Sequence, residues 1–127
     1  MPATDVGEHR FRFVLSAGGQ ELPRLAAELE MPPVVVTAAP HAGDLPRTGS
    51  LATLTPESFR LLAVKPAQDG KGWIVRVQET AGKGGCPELI WLGSKVELDA
   101  LEAYRIASWR LQKEGDRWQA ERVSAQE

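Results

Sequence analysis

Cysteine, histidine and long apolar runs are almost missing from this sequence. Cys86 is the only cysteine, which excludes an intrachain disulfide. His9 and His41 lie far apart, without a second Cys or His at metal-ligand spacing, so we predict no metal site and no cofactor in the chain. The sequence has neither an apolar segment of bilayer length nor a signal peptide, so we expect a cytoplasmic protein that does not bind a membrane.

Strong charge of either sign is also missing. The net charge is −2, and the basic residues are scattered singly, which argues against nucleic acid or an anionic membrane as a partner. With 127 residues, 43% hydrophobic and 25% charged, the composition is typical of a globular protein. We predict a single domain over residues 1–127, with loose tails at 1–8 and 124–127.

Short alternating apolar patterns dominate what is present. They predict strands at 9–15, 34–37, 50–54, 59–64, 73–78, 87–92, 104–112 and 117–123. Only residues 20–31 have helical spacing, with prolines at 32 and 33 to end the helix. Residues 96–105 are ambiguous, because Leu98, Leu101 and Arg105 fit a helical turn, whereas residues 104–112 alternate as a strand; we choose the strand. We therefore predict an all-β fold, an antiparallel β-sandwich with one short helix at about 20–31.

The clearest hairpin spans residues 59–82 and turns at Asp69-Gly70. Both of its arms carry apolar residues on both faces, which predicts two central strands. Charges of alternating sign lie near its turn, at Lys65, Asp69, Arg76 and Glu79. We interpret them as cross-strand pairs that hold the register of the hairpin.

Candidate catalytic groups do not combine into a known arrangement. Cys86 lies between Gly85 and Pro87 without a neighbouring base, so we interpret it as a structural thiol. The glycines at 82, 84 and 85 lack the spacing of a phosphate-binding loop. Paired carboxylates are the signature of glycoside hydrolysis. The candidates here are Asp69, Glu79, Asp99 and Glu102, which we interpret as turn or surface residues, so we assign no catalytic residue.

Four tryptophans raise the alternative of a sugar-binding surface, because an exposed indole can stack on the apolar face of a sugar. Trp73, Trp91, Trp109 and Trp118 all fall in strand patterns, and we interpret them mainly as core residues. Trp118, beside Arg117 and Gln119 near the last hairpin, is the exception. Trp118 and Asp69 are therefore the candidate carbohydrate contacts.

Several pieces of the sequence, in order over most of residues 9–112, resemble the C-terminal β-domain of glycoside hydrolase family 38, the α-mannosidases. The hairpin itself, AVKPAQDG followed by GWIVRVQE and Gly82, is similar to the family stretch "alK-AEDG-G-ivRlyE--G". The neighbouring pieces that also resemble the family are FRFVL at 11–15, AELEMP at 27–32, GDLPRTGSL at 43–51, LDALE at 98–102 and SWRL at 108–111.

The resemblance implies a role without catalysis in this chain. In that family an Asp nucleophile and a divalent metal, usually zinc, belong to the N-terminal catalytic domain, and none of their motifs is present here. We therefore expect a non-catalytic domain that packs against a catalytic domain, in cis or in trans, and that contributes to carbohydrate binding. The alternative is a free-standing carbohydrate-binding or protein-interaction module without hydrolase activity.

Overall fold

The computed structural model describes residues 7–17, 22–31, 33–44 and 46–124. The chain divides into two units, Met1–Pro40 and His41–Glu127. The prediction of one domain over the whole chain stays a prediction. Within the described residues, no helix has both the length and the apolar character needed to cross a membrane.

The first unit contains the helix expected at 20–31. Helix α1 spans Leu22–Glu30, and Gln20 and Glu21 lie outside the described residues. Pro23 is its second residue, where a missing backbone N–H costs nothing. The Met31 N–H still donates to the Ala27 carbonyl at 2.9 Å, so the helical bonding continues to the residue before the prolines.

The strands expected at 9–15 and 34–37 are wrong. Both segments lie outside regular secondary structure and are exposed throughout. The first is nevertheless extended, because the rings of His9, Phe11 and Phe13 follow one another at 6.3 and 6.4 Å. That is about the 6.6 Å spacing of alternate residues on one face of a strand. The ring spacing is therefore that of a strand, although the segment belongs to no described sheet.

In the described part of the second unit, seven antiparallel strands form two sheets, which confirms the prediction of an all-β antiparallel sandwich. The strands are β1 (Ala52–Thr55), β2 (Phe59–Pro66), β3 (Trp73–Glu79), β4 (Glu88–Trp91), β5 (Ser94–Glu97), β6 (Ile106–Glu114) and β7 (Arg117–Val123). They form a three-stranded sheet in the order β1-β4-β5 and a four-stranded sheet in the order β2-β3-β6-β7.

The core lies between the two sheets. Alternate residues of β3 and β6 face inward, with Val75, Val77, Trp109 and Leu111 fully buried. Leu89, Trp91 and Val96 meet them from the other sheet, and Leu98 and Leu101 from the following loop. Burying this much apolar surface is the main driving force for the sandwich.

Only one arm of the hairpin is the predicted central strand. β3 lies between β2 and β6, as expected, whereas β2 is an edge strand. The ladder between β2 and β3 shifts register between Leu61 and Ala63, so Leu62 occupies a bulge. A bulge, a lysine and a proline are all typical of protected edges, and β2 ends in Lys65-Pro66. The prediction of a central β2 is therefore wrong. The bulge explains the misleading pattern, because one inserted residue moves the following apolar side chains to the other face of the strand.

Residues 94–105, where the sequence fitted more than one structure, contain a strand followed by a loop that leads into β6. Residues 94–97 form β5, a strand that the sequence did not indicate. The two-residue turn before it places Leu92 at φ 49° and Gly93 at φ 80°. Hairpin turns of this kind usually carry Asn or Asp first, so a leucine gave no turn signal. Residues 98–105 are loop apart from a bridge between Leu101 and Gly85, and β6 begins at Ile106, two residues later than predicted.

Candidate functional site

The most deeply buried charge of the sandwich is Glu79, at the end of β3. Its side chain is completely shielded from solvent. Oε1 accepts hydrogen bonds from the N–H groups of Ala81 at 2.9 Å and Lys83 at 3.4 Å, and Oε2 from those of Gly82 and Tyr104, both at 2.9 Å. One carboxylate therefore joins the loop after β3 to the loop before β6.

These donors also stabilise the charged form of Glu79. The Tyr104 N–H has the largest effect in lowering the pKa of the carboxyl below its ordinary value, and the three loop N–H groups act in the same direction, against desolvation. Tyr104 lies at φ 57°, a conformation that is unfavourable for a side chain with a Cβ. Its bond to Glu79 helps hold that conformation. Glu79 is thus a structural anion and not a proton donor poised near neutral pH.

Asp69 has a separate structural role at the other end of β3. Its Oδ1 accepts the Lys71 N–H at 2.9 Å, and its Oδ2 forms an ion pair with Arg110 on β6. The Lys71 N–H is the largest influence that lowers the pKa of Asp69, followed by Arg110. Arg110 and Gln112 also donate to the Lys71 carbonyl at 3.1 to 3.3 Å. The turn is therefore bound to β6.

This arrangement corrects the predicted charge pairing around the hairpin. Asp69 pairs with Arg110, and Glu79 accepts backbone N–H groups. The ion-pair partner of Asp69 and the four donors to Glu79 therefore lie outside the predicted set of four charges. Arg76 donates to Ser108 at 2.9 Å. The sequence pattern identified charges near the turn. It could not show that β6 lies beside them and supplies two of their partners, Arg110 and Ser108.

The candidate carboxylates do not form a catalytic pair between the two ends of β3. A strand from residue 73 to 79 separates Asp69 from Glu79 by about 20 Å, whereas glycosidase pairs lie about 5–10 Å apart. Glu102 is exposed and pairs with Arg105 at 3.3 Å, and Asp99 is exposed. Among the described residues, no three His, Cys, Asp or Glu side chains form a group that could hold a metal ion.

The remaining candidates are surface residues. Cys86 is an exposed free thiol, and His9 and His41 are exposed. His41 lies against its own loop, with Nδ1 2.8 Å from the Ala42 carbonyl oxygen.

Strand pairing does gather basic residues on the outer face of the four-stranded sheet. The residues concerned are Arg60, Lys65, Arg76 and Arg110. Their scattered positions in the sequence did not predict this face, because it depends on which strands are neighbours.

A row of tryptophans crosses one end of the sandwich. Trp91 is buried, and its ring centroid lies 5.8 Å from that of Trp73 and 6.0 Å from that of Trp118. Trp73 remains 37% exposed and Trp118 is half-buried. Both rings line an open groove of about 470 Å³, together with Lys71, Gln112, Lys113 and Glu114. Trp118 was predicted as a sugar contact; its companion in the groove is Trp73, and Asp69 is not among the lining residues.

The chain thus contains an antiparallel β-sandwich with two structural acids, the buried Glu79 and the partly exposed Asp69, and an aromatic groove. No protein-family model, curated protein or solved structure matches the chain.

Proposed function

We propose that the chain is a non-catalytic C-terminal β-sandwich domain of an α-mannosidase-like glycosyl hydrolase and packs against the catalytic domain. The ordered resemblance over residues 9–112 supports the parent enzyme. The structural roles of Asp69 and Glu79 support the absence of chemistry from these two carboxylates. Zinc and the nucleophile would then belong to the catalytic domain.

The observation that carries this proposal is the exposed apolar face of residues 9–15. Phe11, Phe13 and Leu15 alternate on that face and are 76%, 85% and 99% exposed. Val34, Val35 and Val36 form a second exposed run. A lone strand is not stable in water, and exposed apolar runs of this kind mark interaction sites. A neighbouring domain that pairs with the segment would bury these side chains.

Two measurements test the proposal. The purified chain should not hydrolyse an aryl α-mannoside, with or without added zinc, and robust turnover would overturn the proposal. The separately expressed catalytic polypeptide of the parent hydrolase should bind the chain in calorimetric titration. We expect Phe13→Ser to weaken that binding by about tenfold or more, because it removes a large aromatic anchor.

The matched control is Val14→Ser, which changes the opposite face of the same extended segment. It should leave the affinity within about threefold, because contacts outside the main apolar anchors contribute little. Equal losses for the two variants would contradict packing through the Phe11, Phe13 and Leu15 face.

The second candidate function is a free-standing carbohydrate-binding module, and the aromatic groove favours it. A free-standing module has no need of an exposed segment at 9–15. An isolated chain that does not bind the catalytic polypeptide, and whose oligosaccharide binding is unchanged by Phe13→Ser, would support this candidate over the first.

A further inference from the structure

The exposed indole of Trp73 is not explained by the core. The inward side chains of β3 form the sandwich core, but Trp73 is not part of that core cluster. Its ring is held against the buried Trp91 at an interplanar angle of 56°. Trp91 also supports Trp118 from the other side, at 80°. One buried indole therefore fixes two partly exposed indoles, so neither has to be ordered when a ligand binds.

Polar side chains with defined orientations surround the two rings. The Gln119 amide donates to Glu114 Oε2 at 2.8 Å, which fixes that carboxylate on the rim. Gln112 is oriented by its bond to the Lys71 carbonyl at 3.3 Å. Lys71 and Lys113 supply ammonium donors. Rigid aromatic surface with a few placed donors and acceptors is the composition of a small-molecule site, and the volume lies within the usual range of about 300–1,000 Å³.

Trp118 also lines a second open groove of about 560 Å³ between β5 and β7. The charged residues of that groove are Lys95, Glu97, Asp116 and Arg117, so its charges balance. In the first groove Lys71 and Lys113 exceed Glu114 by one positive charge. Two grooves that share Trp118 and carry almost no net charge suit an extended, uncharged, hydroxyl-rich ligand better than a polyanion.

We propose that the two grooves that Trp118 lines bind a neutral oligosaccharide, with one sugar ring stacked on Trp73 and Trp118. The hydroxyl groups of that sugar would hydrogen-bond Glu114, Gln112 and Lys113, and further sugar units would extend over Trp118 towards Glu97 and Asp116. The choice of a saccharide rests on the proposed function, since the parent enzyme acts on glycans. A proline-rich peptide, which also docks on aromatic grooves, is the competing occupant.

The test is calorimetric titration of the full chain with three ligands: mannose, α-linked mannobiose and α-linked mannotriose. We expect binding that strengthens by about fivefold or more from the monosaccharide to the trisaccharide, because the longer ligand reaches both grooves. The affinity should hardly change between low and high salt, since no counterions are released. No binding of any of the three sugars, or a steep dependence on salt, would overturn the proposal.

Three variants test whether the oligosaccharide binds in the groove. Trp73→Ala should weaken trisaccharide binding by about tenfold or more, and Glu114→Gln by a smaller factor. Trp73 lies outside the core cluster, so its variant should stay folded, as near-ultraviolet circular dichroism will show. The matched control is Tyr104→Ala, which removes an exposed aromatic ring at the opposite end of β6 and should leave binding unchanged. Equal losses for Trp73→Ala and Tyr104→Ala would contradict the assigned site.

Two further outcomes separate this inference from the proposed function. A chain that binds the catalytic polypeptide through Phe13 but binds none of the sugars disproves only the groove assignment. A chain that binds mannotriose through Trp73 but ignores the catalytic polypeptide supports the groove and disproves the accessory-domain role. Displacement of mannotriose by a proline-rich peptide at lower concentration would show that the groove is a peptide site and would overturn the inference.

Discussion

Residues 9–15 and strand β6 have the same alternating pattern but opposite environments. β6 lies between β3 and β7, and its inward residues Ala107, Trp109 and Leu111 are buried. Residues 9–15 are extended with their rings on one face, yet they are exposed and belong to no described sheet. An alternating pattern thus shows which face of a segment is apolar. It does not show whether the neighbouring strands lie in the same chain.

The largest expected effect compares one substitution in both segments. Leu111→Ala should lower the free energy of unfolding by about 2–5 kcal/mol, because it leaves a cavity in the core. Leu15→Ala should change it by less than about 0.5 kcal/mol, because the side chain is already in water. Urea denaturation of the two variants and the wild type measures both values. A similar loss for Leu15→Ala would mean that residues 9–15 are packed in the isolated chain.

The next effect compares carboxylates in the two units. Glu79→Ala leaves four backbone donors without their acceptor, so we expect the Tm to fall by roughly 10 °C or more. Glu28→Gln breaks the exposed pair with Arg24 at 2.9 Å and should lower the Tm by no more than about 2 °C. Differential scanning calorimetry checks both. A small effect of Glu79→Ala would contradict its role as the anion that joins the two loops.

Two glycines of the hairpin turn allow a comparison between a position packed against β6 and an open one. Gly72 has φ 100°, and a Cβ there would meet the carbonyl oxygen of Leu111 on β6. Gly72→Ala should therefore cost about 2 kcal/mol or more. Gly70 has φ 73° with open space around it, so Gly70→Ala should cost only about 1 kcal/mol. Equal losses in urea denaturation would show that the turn does not lie against β6 as described.

The smallest effect is the dependence of stability on pH. The pKa of Glu79 is lowered in the folded protein, so its contribution is present above the ordinary value of 4.5 and is lost as the pH falls through the folded-state pKa. The Tm of the wild type should therefore fall more steeply than that of Glu79→Gln between about pH 5 and pH 3. Asp69 acts in the same direction in both proteins, so it does not affect the difference. Parallel curves would contradict a lowered pKa for Glu79.

The sequence predicted the parts of the fold that local pattern controls. β7 matches residues 117–123, α1 falls within 20–31, and the hairpin turns at Asp69-Gly70. It failed where the outcome depends on distant partners. The edge position of β2 follows from the sheet order, and β5 follows a turn whose first residue is a leucine.

The candidate site shows the same division. The position of Trp118 near the last hairpin predicted its partial exposure, which the structure shows. The role of Glu79 could not, because three of its donors are local but the strongest effect comes from Tyr104, 25 residues away. Trp73 looked like a core residue, since its strand pattern is continuous with Val75 and Val77. Its exposure depends on the groove beside β6 and β7.

The proposed accessory role predicts that residues 9–15 add no strand to the sandwich and that a partner covers their apolar face. Residue-resolved amide hydrogen exchange on a sample shown to be monomeric tests it most directly. We expect amides of β3 and β6 to exchange at least about a thousandfold more slowly than unfolded peptide, and those of residues 9–15 to exchange at nearly the unfolded rate. Strong protection of residues 9–15 in the monomer would contradict the account, because the chain itself would then supply the missing strand partner.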